Sequence, residues 1–241
     1  MATTAVGMDG QEFLPALDID WQDTHSRLTV AFRILLAIPQ FIVLFFVGIA
    51  AFVLTVIGWF AALFTGRLPD GIAGFLAGYV AWNTRVYAYV YLLVDDYPPF
   101  AFDAPRYPVR IELRPGPLNR LAVLFRVFLM IPAAIVSAVA GAGLGVFVFL
   151  IWLIVLISGR MPPPVFEASA AVLRYGMRLQ AYTSMLTSAY PKRLFGDDPT
   201  GPRISAARPL VLSSGARVLL IVFLVLGVVS EAANITTQAR R

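Results

Sequence analysis

Cysteine is absent from the 241 residues, and histidine and lysine occur once each, at His25 and Lys192. Without thiols there can be no disulfide, thiolate-held metal, iron–sulfur cluster or cysteine nucleophile. One imidazole cannot supply the paired ligands of a zinc or haem centre, so no cofactor and no metal are expected. Charge is scarce as well, at 14% of residues, where a soluble domain carries roughly a quarter. With 59% hydrophobic residues, the composition is that of an integral membrane protein. No phosphate-binding loop, serine elbow or glycosidase-like carboxylate pair occurs, and this points away from an enzyme. The first 25 residues lack a basic stretch leading into an apolar core and a small-residue cleavage site, so no cleaved signal peptide is expected.

What the chain has is a repeat. Residues 27–98, moved by 93 positions, fall on 120–191 without insertion or deletion, and 24 of the 72 aligned positions are identical. The identities include Arg27/Arg120, Arg33/Arg126, Pro39/Pro132, Trp59/Trp152, Arg85/Arg178 and Tyr89/Tyr182. Chance alignment of two apolar segments does not reproduce arginine, proline and tryptophan. The chain divides into a polar N-terminus with a possible strand (1–25), a first membrane repeat (26–100), a connecting strand and loop (101–118), a second repeat (119–193), a cytoplasmic loop (194–213), a fifth transmembrane helix (214–233) and a tail (234–241).

Residues 1–11 are polar and aperiodic, as in a mobile terminus. Leu17, Ile19 and Trp21 then alternate with Asp18 and Asp20, and Val109, Ile111 and Leu113 alternate with Arg110, Glu112 and Arg114. This is the period of half-buried strands, and pairing them would set Asp18 and Asp20 against Arg110 and Arg114.

Ser26–Ile38 and Asn119–Ile131 read as amphipathic helices in the headgroup layer. Arg27, Arg33, Arg120 and Arg126 would contact lipid phosphates there, arginine presenting a planar fork of donors. A single long kinked helix from Ser26 is the alternative. Pro39–Phe64 carries no charge over 26 residues, about 39 Å of helix against a hydrocarbon core of roughly 30 Å. Pro132–Ile157 matches it. Trp59 and Trp152 near the far ends suit the membrane interface, and the spacings Gly141/Gly145 and Gly74/Gly78 suggest close helix packing.

Gly66-Arg67-Leu68-Pro69 and Gly159-Arg160-Met161-Pro162 are turns, glycine ending one helix and proline starting the next. The return helices, Gly71–Val94 and Pro164–Met185, are more polar. The expected fold class is thus an all-α membrane protein of two tandem transmembrane helical hairpins plus a fifth C-terminal span, with short interfacial amphipathic helices and two possible short cytoplasmic strands. Twelve of the 19 basic residues lie on the strand side, and the positive-inside rule makes that side cytoplasmic. Five spans place the N-terminus inside and the C-terminus outside. Each repeat having two spans, the copies are expected to run parallel, with both tips outside.

The candidate lipid- or partner-binding residues are Arg85, Arg178 and Arg174, with Tyr89, Tyr182 and Asn83. An arginine inside a span costs about 2.5–3.5 kcal/mol on insertion scales, so its presence in both copies asks for a reason. Three remain open: bonding to helix-end carbonyls or tyrosine hydroxyls, holding an anionic headgroup in a tyrosine-lined cleft, or pairing with a partner protein's acid. Glu167 is the one acid at similar depth, and Asp95-Asp96 and Asp197-Asp198 read as solvated loop acids.

The series Arg27-Leu28, Phe32-Arg33, Ile38-Pro39, Trp59-Phe60, Gly66-Arg67-Leu68-Pro69, Arg85-Val86, Tyr89 and Tyr97-Pro98-Pro99-Phe100 resembles a membrane domain found largely in actinobacteria, a domain of unknown function (DUF4389). Tyr107-Pro108-Val109-Arg110 leading to Arg120 and Arg126 is similar to a second copy. The resemblance implies a tandem domain in the bacterial plasma membrane and no established activity. The second copy departs at Asp95, Asp96 and Asn83, which become Ser188, Ala189 and Gly176.

The expected function is a non-enzymatic scaffold or accessory subunit of a membrane complex, with a carrier or binding protein for lipids or small amphiphiles as the alternative. Membrane lipids, anionic ones above all, and a partner membrane protein are the expected partners. Nucleic acid is not.

Overall fold

The computed structural model describes residues 13–197 and 202–238. The N-terminal stretch 1–11 and Asp198 lie outside the described residues. The elements run β1 (Ala16–Ile19), α1 (Arg27–Thr65), α2 (Asp70–Val90), β2 (Val109–Glu112), α3 (Arg120–Leu124), α4 (Arg126–Ser158), α5 (Pro163–Thr183) and α6 (Ser214–Gln238). By length and hydropathy, α1, α4 and residues Ser214–Asn234 of α6 are able to cross a membrane, consistent with a membrane protein. The return helices α2 and α5 are not apolar enough to join them.

In the first copy the interfacial helix and the span are one element. Ser26 caps α1, and Pro39 sits inside it on an exposed face. A proline costs its helix one amide donor, and apolar surroundings leave no competing partner to draw the freed carbonyl out of the helix. In the second copy the helix does break, but at Phe125 between α3 and α4, while Pro132 lies within α4. The turns behave as their chemistry requires: Gly66 and Gly159 cap α1 and α4 at φ 75° and 69°, the left-handed region in which glycine carries no Cβ penalty.

Within each copy the two helices form a hairpin. Gln40, fully buried on α1, accepts from the Trp82 indole of α2 at 2.9 Å and donates to the Pro98 carbonyl. Arg33 reaches Tyr89 and Val94, and Arg126 reaches Tyr182 and Thr187. Both return helices end in a left-handed residue at the same repeat position, Leu92 (φ 60°) and Met185 (φ 58°). Each guanidinium clasps the carbonyls on either side of that turn.

Between copies the setting is antiparallel, which corrects the parallel expectation. The tip of the first hairpin meets the start of the second copy, Leu118 N donating to Gly66 O at 2.8 Å, and His25 N donates to Gly159 O at 2.8 Å. The tryptophans repeat the relation: Trp59 Nε1 donates to Val123 O and Trp152 Nε1 to Val30 O, at 2.8 and 2.7 Å. Both indoles therefore staple one copy to the other. Two spanning hairpins inserted in series from one side run parallel, so the observed fold lacks the shared side for both tips.

α2 and α5 lie at the centre, with Leu76, Val80, Ala88, Ala168 and Ala171 in the core. On one side α1, α4 and α6 cover them. α6 runs antiparallel to α4 at backbone contact: a Cβ on Gly143 would stand 1.7 Å from the Phe223 carbonyl oxygen, and one on Gly227 1.9 Å from that of Val139. The glycines proposed from spacing are not the contacts, since Gly141, Gly145 and Gly74 have nothing within 4 Å, although Gly78 does pack on Phe102. On the other side lie the loops and the two-stranded antiparallel sheet, with Asp18 opposite Arg110 in register. Its ion pairs are Arg110 with Asp20 at 2.7 Å, Arg114 with Glu112 at 2.5 Å, and Arg208 with Asp18 and Glu112. The last pair ties the sheet to the chain that follows α5.

Candidate amphiphile-binding cavity

Where α2 and α5 cross, Asn83 Nδ2 donates to Gln180 Oε1 at 3.1 Å. Gln180 forms part of the wall of two cavities that flank this crossing. The larger, about 680 Å³, lies between α1 on one side and α4 with α5 on the other. Its walls are apolar: Ala51, Phe52, Val56 and Phe60 of α1 face Val127 and Met130 of α4. Most of its polar groups gather on the α2 and α5 side, from Tyr79, Gln180, Thr183 and Ser184, with Arg126 beside them, and α1 contributes Thr55. Phe52, Val56, Phe60 and Val127 are exposed, so the cavity opens onto the apolar surface of the molecule. Its volume falls within the ~300–1,000 Å³ of small-molecule sites. The smaller cavity, about 310 Å³, is lined by Asn83, Tyr87, Tyr91, Ser137 and Gly176 among others.

Glycine shapes the larger cavity. Gly48 of α1 leaves room for Tyr79, whose hydroxyl would stand 3.0 Å from a Cβ there. The end of α5 supplies the floor: Thr183 Oγ1 bonds back to the Gln180 carbonyl, and the left-handed Met185 turns the chain so that Thr183 and Ser184 remain beside the opening.

The arginines nominated from sequence are placed otherwise. Arg85 Nε donates to Ala81 O, and its Nη2 to Ala101 O and Phe102 O at 2.9 and 2.7 Å. It holds the chain that leaves the first copy against α2. Arg178 does the same in the second copy, donating to Lys192 O and Pro15 O, each at 3.0 Å. Arg174 pairs with Asp197 and donates to Arg193 O. Asp197 also lies 3.9 Å from Arg178 and 4.0 Å from Arg193, so this loop acid is the hub of an ion cluster. Glu167, the acid expected near these arginines, instead accepts from Ser213 N at the start of α6. Arg174 and Arg178 share a cavity of about 170 Å³ with Arg193 and Arg208, and Arg85 is in none of the three.

Arg33 and Arg126 are not interfacial phosphate contacts. They are 1% and 3% exposed, bonded to carbonyls, and stacked over Tyr89 and Tyr182 at 4.4 and 4.2 Å. Both nominated tyrosines thus serve as platforms for guanidinium groups. Arg27 and Arg120 are exposed, each with Nε close to the tip glycine of the other copy, Gly159 and Gly66. Of the nominated residues, Asn83 lines the smaller of the paired cavities and Arg126 the larger. Sequence reasoning missed Gln180 and Tyr79, because in a single chain nothing distinguishes a polar residue lining a cavity from one that bonds a neighbour.

The family described as a domain of unknown function (DUF4389) matches residues 27–101 and 120–194. No curated protein and no solved structure matches the chain. The two matched segments coincide with the antiparallel copies and span more than half of the residues; the chain belongs to the DUF4389 family, as a tandem of two of its domains.

Proposed function

We propose that the chain is a non-enzymatic protein of the bacterial plasma membrane that holds a lipid-like amphiphile between its two copies. The observation that carries this reading is the 680 Å³ cavity, apolar along α1 and α4 and polar along α5, opening onto the surface that meets hydrocarbon. An acyl chain fits the apolar wall, and a hydroxyl or ester at its head fits Thr183, Ser184 and Gln180. Among the described residues the lining has no carboxylate or imidazole to act as a base, which favours binding over catalysis. The accessory-subunit reading draws on α1, which buries only the stripe Val30, Arg33, Ala37, Gln40, Leu44, Ala51, Gly58 and Ala62 and leaves the rest of its surface for another helix.

Native mass spectrometry from mild detergent tests the proposal. The wild type should retain one lipid, and Thr55→Trp, which fills the cavity, should lose it. Val53→Trp, on the exposed outer face of α1, should keep it. Equal lipid in both variants would overturn the reading, and a retained protein in place of lipid would favour the accessory role.

A further inference from the structure

We infer that the molecule seats side-on in one leaflet of a bilayer, its long helices close to the membrane plane and its charged loops in water. Between the two tryptophan staples α1 runs from Val30 to Trp59, roughly 43 Å at 1.5 Å per residue, longer than a hydrocarbon core of about 30 Å. Over this length its outer surface stays apolar, with Phe32, Phe46 and Phe60 all at least half exposed. α4 adds Phe128 and Phe149, and α6 adds Val225.

The opposite face is non-helical and charged over the same length. After the first copy the chain climbs beside α2, from Tyr97 against Tyr89 to Phe102 against Phe75, and reaches the tip at Leu118. After the second it descends beside α5, from Tyr190 against Tyr182, past Asp197 at Arg174, to Ser213 at Glu167. β1 follows the same path, from Pro15 at Arg178 to Trp21 against Phe166. An upright bilayer would therefore put Asp20 and Arg110, 49% and 41% exposed, and the backbone of both loops in hydrocarbon. Irregular backbone does not face lipid at membrane depth, and exposed charge there is strongly disfavoured.

The basic residues agree with this. Arg27, Arg160 and Arg217 lie at one end of the molecule and Arg67 and Arg120 at the other, so both ends carry positive charge. Arg106, Arg110, Arg114, Arg193, Arg203 and Arg208 all belong to the loop face. Basic residues favour the cytoplasmic side, and here they distinguish a face of the molecule rather than an end.

The chain has no cysteine, so single-cysteine variants report cleanly. Arg67→Cys and Arg160→Cys mark the two tips, and Arg203→Cys marks the loop face; all three positions are exposed. A membrane-impermeant maleimide, applied to spheroplasts and to inverted vesicles, should label all three from the same side. Tips labelled from opposite sides would mean an upright molecule, and tips together but opposite Arg203 would mean parallel spanning hairpins; either result overturns the inference. A second measurement reads depth. Phe32→Cys, Phe46→Cys and Phe60→Cys, carrying a fluorophore in phosphatidylcholine–phosphatidylglycerol vesicles with brominated chains, should all be quenched at similar depth. A maximum at Phe46, or protection of that site by a second copy, also overturns it.

Discussion

Replacing Arg33 with methionine tests the clasp that closes each hairpin. The guanidinium donates to Tyr89 O at 2.7 Å, Val94 O at 2.9 Å and Asp95 Oδ1 at 2.6 Å, and lies 4.4 Å from the Tyr89 ring. Its side chain is 2% exposed and that of Asp95 21%. Methionine keeps the apolar volume but takes the donor from the Val94 carbonyl and the cation from Asp95, which keeps only Ser26 N and Thr29 Oγ1, while the Tyr89 carbonyl keeps Leu92 N. Removing one partner of such a buried pair costs about 3–5 kcal/mol. At about 2–4 °C per kcal/mol for a chain of this size, Tm should fall by about 6–20 °C. Asp95→Asn should cost less, about 1–2 kcal/mol, because Arg33 keeps its two carbonyls. In the double-mutant cycle, measured by thermal unfolding in detergent, the coupling should exceed about 1 kcal/mol. A coupling near zero, or an Arg33→Met variant as stable as the wild type, would refute the clasp.

The contact of α4 with α6 predicts that Gly143→Ala lowers Tm by several degrees, since its Cβ meets the Phe223 carbonyl. Gly145→Ala, in open space, should be neutral or stabilising by up to about 1 kcal/mol; equal effects would argue against the helix contact. His25 is 5% exposed, and its Nε2 donates to Leu92 O at 2.9 Å. Burial, then the charge of Arg33, holds its pKa below the ordinary 6.5. The unfolded state thus binds the proton more readily, and this contribution is complete above pH 6.5 and lost as pH falls through the lower folded value. Tm should drop on acidification from pH 6.5 towards the folded value and level off below it, and His25→Asn should flatten the profile; an unchanged slope would remove His25 as its source. Trp59→Phe and Trp152→Phe each delete one indole donor to a carbonyl of the other copy, and each should cost about 1 kcal/mol by denaturant unfolding. A loss at Trp59 alone would break the pseudo-symmetry.

Much of the local structure can be read from the residues. Glycine followed three residues later by proline places both tips, alternation marks both strands to within two residues, and the hydropathy of residues 39–64 and 132–157 shows the apolar helices. The candidate site was less legible. Asn83 points to the paired cavities, but Arg85 and Arg178, the residues that most invite a ligand, spend their donors on the chain's own carbonyls. Asp197 looked like a solvated acid because its partners lie 23 and 19 residues away, at Arg174 and Arg178.

The sequence alone determined that the chain is two copies of one unit, each a long apolar helix, a tight turn and a more polar return helix, because those properties depend on composition and short-range spacing. Only the tertiary structure decided how the copies face each other. Two copies of one pattern can pair in parallel or antiparallel order, and periodicity does not choose between them. The choice rests on contacts between distant residues: Trp59 with Val123, Trp152 with Val30, and each tip with the other copy's start. That antiparallel order brings the charged loops onto one face and leaves the apolar helices on the other.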